Sequence, residues 1–164
     1  MLIPFFAGIF IIAILDQAAK FFAVGLFMEY GSTAPQLVNG VTNIPLWENV
    51  FHLTYVENRG AGWGIFSDHT WILTLVTALI IVAAVTYVVV KRPKNRVFLT
   101  GFTFLIGGAV GNLIDRIRIG YVIDFFDFTL IDFPVFNVAD CFITIGAIIF
   151  AVYVIFLSDK KEEK

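Results

Sequence analysis

Three aspartates stand in stretches that are otherwise apolar: Asp16, four residues before Lys20, then Asp115 and Asp140. A charged side chain in a membrane span costs on the order of 2.5 to 3.5 kcal/mol, so such residues face a bundle interior or a watery cavity. Two carboxylates brought together cannot both ionise comfortably, and a proton is then shared between them. That pair supplies a base to activate water and an acid to protonate a carbonyl or a leaving amine, the chemistry of amide hydrolysis by paired aspartates. On spacing alone a simpler reading fits too: interfacial aspartates capping helix ends, with Asp140 at the positive N-terminus of its helix. Asn112 and Asn137 each precede an aspartate by three residues and share its helix face, so each is expected to hydrogen-bond it or to orient substrate backbone.

Other reactive residue types are scarce. The one cysteine, Cys141, excludes an internal disulfide, and its apolar setting disfavours a thiolate nucleophile. The two histidines, His52 and His69, lie outside any HExxH pattern and read as surface residues, so no metal framework is expected. Asp16 and Lys20 form an intramembrane ion pair on this reading. Arg116 either anchors a loop, meets lipid phosphate or snorkels to the interface. Trp47, Trp63 and Trp71 read as interfacial anchors.

The elements that position these residues follow from composition. Of 164 residues, 59% are apolar and only 15% charged, with a mean hydropathy of +0.89, which excludes a water-soluble, disordered or nucleic-acid-binding chain. Nineteen Phe and thirteen Gly suit a bundle that turns bulky side chains to lipid and packs its helices through small ones. Four spans are expected, at 2–28, 71–90, 97–115 and 140–157; the first lacks the basic flank of a cleaved secretory signal. Lys91, Arg92, Lys94 and Arg96 fall in the loop 91–96 and three more lysines in the tail 158–164, which places both segments and both termini in the cytoplasm. Loops 29–70 and 116–137 then face outside, and the third and fourth spans bring Asp115 and Asp140 to one depth near the outer leaflet. Residues 51–56 alternate apolar and polar, and 41–46 form a candidate partner strand, so a small extracytoplasmic β element is expected. The fold class is therefore an all-α, four-transmembrane-helix bundle carrying that element as a single membrane domain.

Five stretches, in order, resemble the motifs of the bacterial lipoprotein signal peptidases, the type II signal peptidase family. They are Asp16-Gln17-Ala18-Ala19-Lys20, Asn58-Arg59-Gly60-Ala61-Gly62-Trp63-Gly64, Gly107 through Asn112-Leu113-Ile114-Asp115-Arg116, Gly120-Tyr121-Val122-Ile123-Asp124-Phe125, and Phe136-Asn137-Val138-Ala139-Asp140. Ala19 stands where the family usually has Ser or Thr, and Gly62 where it usually has Ala. The resemblance implies an intramembrane aspartic endopeptidase of the bacterial cytoplasmic membrane. It would cleave diacylglyceryl-modified prolipoproteins just before the lipidated cysteine, with Asp115 and Asp140 as its catalytic pair and no cofactor.

In that frame Asn58 and Gly60 border the site from the outer loop, and Asn112, Arg116, Asn137, Asp16 and Lys20 support it or bind substrate. Asp124 is expected to order an outer loop rather than do chemistry. Partners would be lipid-modified prolipoproteins and membrane lipids, with no nucleic acid and a monomeric state. The diacylglyceryl chains call for a lateral opening lined by Phe, with residues 58–64 covering the peptide. The competing class is a small proton-coupled transporter or channel subunit, which would spread its carboxylates through the membrane depth.

Overall fold

The computed structural model describes residues 1–29, 43–60, 69–131 and 133–157. Four helices, α1 (Leu2–Glu29), α2 (Thr70–Lys91), α3 (Arg96–Ile119) and α4 (Val138–Phe156), are each long and apolar enough to cross a membrane. Three strands, β1 (Asn43–Trp47), β2 (Phe51–Asn58) and β3 (Val122–Asp127), form an antiparallel sheet in the order β1-β2-β3.

Helix α3 is the centre of the bundle, and its glycines explain why. Gly107 lies against Ile12 of α1, Gly108 against the Ala139 carbonyl of α4, and Gly111 against the Asp16 carboxylate. Side chains at these positions would hold the backbones apart; in lipid, where apolar surface gains nothing by leaving the solvent, such close packing is what binds helices together. Phe10, Phe21, Phe22, Ile80, Val82 and Ile148 are exposed, as bulky side chains facing hydrocarbon should be. At the far end Phe98 stacks on Phe102 at 4.6 Å and packs edge-on to Phe150 and Tyr153.

The tight α2–α3 connection is built from local chemistry. Arg92 ends α2 in the left-handed region at φ 46°, its N–H returning to the Val88 carbonyl, and Pro93 forbids continuation. The Asn95 side chain then accepts the Phe98 N–H at 3.1 Å and caps α3. Gly120, at φ 83°, closes the other end of α3 one turn beyond Asp115, where the sequence reading had ended the span.

The expected β element is present, with residues Asn43 to Pro45 opposite Thr54 to His52 and Pro45 on the edge strand. It has a third strand that the sequence reading took for loop. Val122 pairs with Asn58 and Asp124 with Val56; the extra residue of the bulge lies on β2, where Thr54 and Tyr55 stand opposite Phe125, while Val-Ile-Asp-Phe-Phe-Asp lacks the apolar-polar alternation by which a strand is recognised. Phe27 of α1 packs with Leu53 and Phe125, which fixes the sheet on the end of the bundle. His69 is exposed as expected, but His52 is half-buried on β2 and both its ring nitrogens are enclosed, so it is not a simple surface residue. Trp47 and Trp71 are exposed, and Trp63 lies outside the described residues.

Candidate active site

Polar side chains from α1, α3, α4, β2 and β3 converge where the sheet meets the bundle. Lys20 is their hub: its ammonium contacts Asp16 Oδ2 and Asp115 Oδ2, each at 2.8 Å, and donates to Asn112 Oδ1 at 3.0 Å. Those three contacts use all three ammonium donors. Asp16, fully buried, also accepts the Ala139 N–H at 2.9 Å, so one carboxylate joins α1 to the first turn of α4. Gly111 makes that possible, since a Cβ there would lie 2.6 Å from Asp16 Oδ2.

Asp115 is 2% exposed and occupied on both oxygens. Oδ1 accepts from Gln17 Nε2 at 2.8 Å, while Oδ2 takes Lys20 and the Ile123 N–H at 3.2 Å. Asp115 is thus engaged by Lys20 and by tying β3 to α3, and among the described residues no hydrogen bond links it to Asp140. The expectation that Asn112 serves its own helix neighbour also changes: Asn112 Nδ2 donates across to Asp140 Oδ1 at 2.8 Å.

Asp140 meets a different carboxylate. Asn137 caps α4 in a capping box: its Oδ1 accepts the Asp140 N–H at 3.0 Å, and its own N–H donates to Asp140 Oδ2 at 3.1 Å. The same residue's Nδ2 donates to Asp124 Oδ1 at 2.6 Å, with weaker contacts to Asn112 Oδ1 at 3.1 Å and the Ile123 carbonyl at 3.3 Å. One asparagine therefore holds Asp124 and Asp140 together. Asp124, 1% exposed, accepts otherwise from Asn58 Nδ2 at 2.9 Å, so its direct partners are neutral amides rather than a cation. Burial, and then the charge of Asp140, push its carboxyl up to about 7, against the opposing pull of those amides and of Lys20. Asp124 keeps a proton near neutral pH, as one member of a close carboxylate pair must.

The outer loop is pinned above this pair. Gly60 donates its N–H to Asn58 Oδ1 at 3.0 Å, and its carbonyl accepts from Arg116 at 3.3 Å. Thr70 Oγ1 donates to the Arg59 carbonyl at 2.8 Å. Of the three readings of Arg116, the structure shows the loop anchor. Residues 61–64, the rest of the expected cover, lie outside the described residues. Cys141 is a half-buried free thiol. Among the described residues no three His, Cys, Asp or Glu side chains are grouped to hold a metal.

Two site residues were not singled out from the sequence. Gln17, next to Asp16 in the first motif, bridges Asp115, Gly111 and Arg118. Asp124 was assigned to loop order; a carboxylate flanked by Val122, Ile123, Phe125 and Phe126 was the available signal.

The model of the family described as signal peptidase (SPase) II matches residues 8–156. This chain belongs to the signal peptidase II family. The lipoprotein signal peptidase of Clostridium acetobutylicum is 44% identical over 76% of this chain and 82% of its own length. That of Brevibacillus brevis is 42% identical over 92% and 93%, and that of Clostridioides difficile 40% over 89% and 90%. A solved bacterial membrane enzyme, 28% identical, superposes with a TM-score of 0.79 over 98% of this chain and 93% of that one. As a signal peptidase II, this multi-pass membrane protein is a peptidase. Nothing in the structure or in the relatives favours a transporter.

Proposed function

We propose that this signal peptidase II removes the signal peptide of diacylglyceryl-modified prolipoproteins, cleaving before the lipidated cysteine, with Asp124 and Asp140 as its catalytic pair. The observation that carries this reading is the Asn137 bridge between a buried, proton-retaining Asp124 and a half-exposed Asp140. Asp140 takes a proton from water as its oxygen attacks the scissile carbonyl, and protonated Asp124 donates to the developing oxyanion. Collapse expels the amine, which leaves with a proton from the pair.

The other residues support that step. Asn112 and Asn137 aim Asp140, Asn58 aims Asp124, and Gly60 with Arg116 fixes the loop above them. Asp115, Asp16 and Lys20 are assigned to the buried frame instead of to chemistry. The basic loop 91–96 lies at the end of the bundle opposite the aspartates, which supports cytoplasmic termini and an active site near the outer leaflet.

Lateral entry of the lipid has support of its own. The one buried residue of α2 is Val88, at the end remote from Asp140, while Trp71, Leu75, Val76 and Leu79 are exposed. The outer half of α2 thus leaves the flank of the bundle accessible from the bilayer. The test is cleavage of a lipid-modified prolipoprotein by the purified enzyme against the same substrate without its diacylglyceryl group. Only the lipidated form should be cut; equal cleavage of both would overturn the substrate assignment.

A further inference from the structure

At the end of the bundle away from the aspartates, two neighbouring grooves flank the first turn of α1, with volumes of about 430 and 370 Å³. They share Met1 and Leu99. Their walls are apolar, from Phe5 and Phe104 in one and Ile3 and Val88 in the other. Their rim is cationic: Arg96 stands at the mouth of the first, Arg92 and Lys94 at the second. All three side chains are exposed, and none is in an ion pair with a described residue. The turn that gathers them is rigidly specified by the left-handed Arg92, Pro93 and the Asn95 cap, so the cations are displayed by backbone geometry rather than by loose chain.

We propose that this pair of grooves is a binding site for an anionic phospholipid of the adjoining leaflet. Its phosphodiester lies among Arg92, Lys94 and Arg96, and its acyl chains run down the walls beside Ile3 and Leu99. Exposed basic side chains above apolar clefts between spans match the two ends of such a lipid, and a free phosphate would use only the rim. The inference rests on the basic end facing a leaflet and not on the proposed catalytic pair, so failure of one leaves the other standing.

The test is native mass spectrometry of the full chain released from detergent, titrated with phosphatidylglycerol, phosphatidylcholine or inorganic phosphate. Phosphatidylglycerol should bind at least tenfold more tightly than phosphatidylcholine, and millimolar phosphate should not displace it. The triple variant R92Q/K94Q/R96Q should weaken phosphatidylglycerol on the order of 100-fold. Because that variant alters the loop that sets topology, I3W and T100W provide a second arm, filling one groove each with every charge retained. Each should lower the number or affinity of bound phosphatidylglycerol while prolipoprotein cleavage in detergent continues. Equal binding of the two lipids, displacement by phosphate, or unaltered lipid binding in both tryptophan variants would overturn the proposal.

Discussion

Removing the amide that steadies the ionised form of Asp124 should make the enzyme more tolerant of alkali. Asn58 Nδ2 donates to Asp124 Oδ2 at 2.9 Å and opposes the burial and the Asp140 charge that hold the proton on. A hydrogen bond to a charged group is worth about 1.5 to 3 kcal/mol, and a pKa unit about 1.36 kcal/mol. Asn58→Leu should therefore raise the Asp124 carboxyl from about 7 to roughly 8 or 9. If protonated Asp124 is the catalytic acid, wild-type turnover falls about tenfold per pH unit above that value. By pH 9 it should retain on the order of 1% of its plateau, whereas the variant should retain on the order of 10% or more. The variant's plateau should itself be lower, because Gly60 loses its side-chain acceptor. The assay is kcat for a lipid-modified prolipoprotein from pH 5.5 to 9.5 in one detergent. A wild-type profile flat to pH 9, or a variant limb displaced towards acid, would refute the reasoning.

Three further outcomes follow from the same contacts. The Asp124 proton is held more tightly in the folded than in the unfolded chain, so its contribution is present at acid pH and lost as pH rises from about 4 through about 7. Thermal melts should show stability declining across that window by an amount of order 4 kcal/mol, and Asp124→Asn should flatten the slope; an unchanged slope contradicts the assignment. Gly111→Ala places a Cβ 2.6 Å from Asp16 Oδ2 and should lower stability by about 2 to 4 kcal/mol in detergent melts, whereas a neutral effect would mean that the close approach is not required. Lys20→Met strands two buried carboxylates and should cost about 3 to 5 kcal/mol, with Asp16→Asn in the same chain recovering part of it; no recovery would deny that charge is the cause.

Three of the helices were legible in the sequence because uncharged runs of seventeen to twenty residues have one common physical outcome in lipid, the first was legible despite Asp16 and Lys20, and the basic loop marked one end. The β1–β2 pairing was legible through alternation, as was the Asp16–Lys20 pair through its four-residue spacing. Partner choice inside the site was not. Asn112 and Asn137 were rightly placed on the faces of Asp115 and Asp140, but face alone does not say that Asn112 reaches across to Asp140 or that Asn137 reaches Asp124. Those contacts join residues 28 and 13 positions apart and exist only once α3, α4 and β3 are packed.

The displacement of Asp115 by Asp124 in the proposed pair has the same origin. Both are aspartates in motifs of one family, and the directions of the third and fourth spans, which bring Asp115 and Asp140 to one depth, made Asp115 the expected partner of Asp140. What supports Asp124 in the proposed pair is that Lys20 lies against Asp115 at 2.8 Å, while the direct donors to Asp124 are neutral amides. Strand β3, hidden because Val-Ile-Asp-Phe-Phe-Asp does not alternate apolar and polar, is what carries Asp124 inward to 1% exposure.

The central claim is that the hydrolytic pair is Asp124 with Asp140, and that Asp115 belongs to the frame. The direct measurement is single-turnover cleavage of a lipid-modified prolipoprotein by purified Asp124→Asn, Asp140→Asn and Asp115→Asn, each scaled to its folded fraction. The first two should fall by at least about a thousandfold. Asp115→Asn should melt at lower temperature yet cleave within roughly tenfold to a hundredfold of wild type. Near-normal cleavage by Asp124→Asn, with Asp115→Asn folded and inert, would contradict the account.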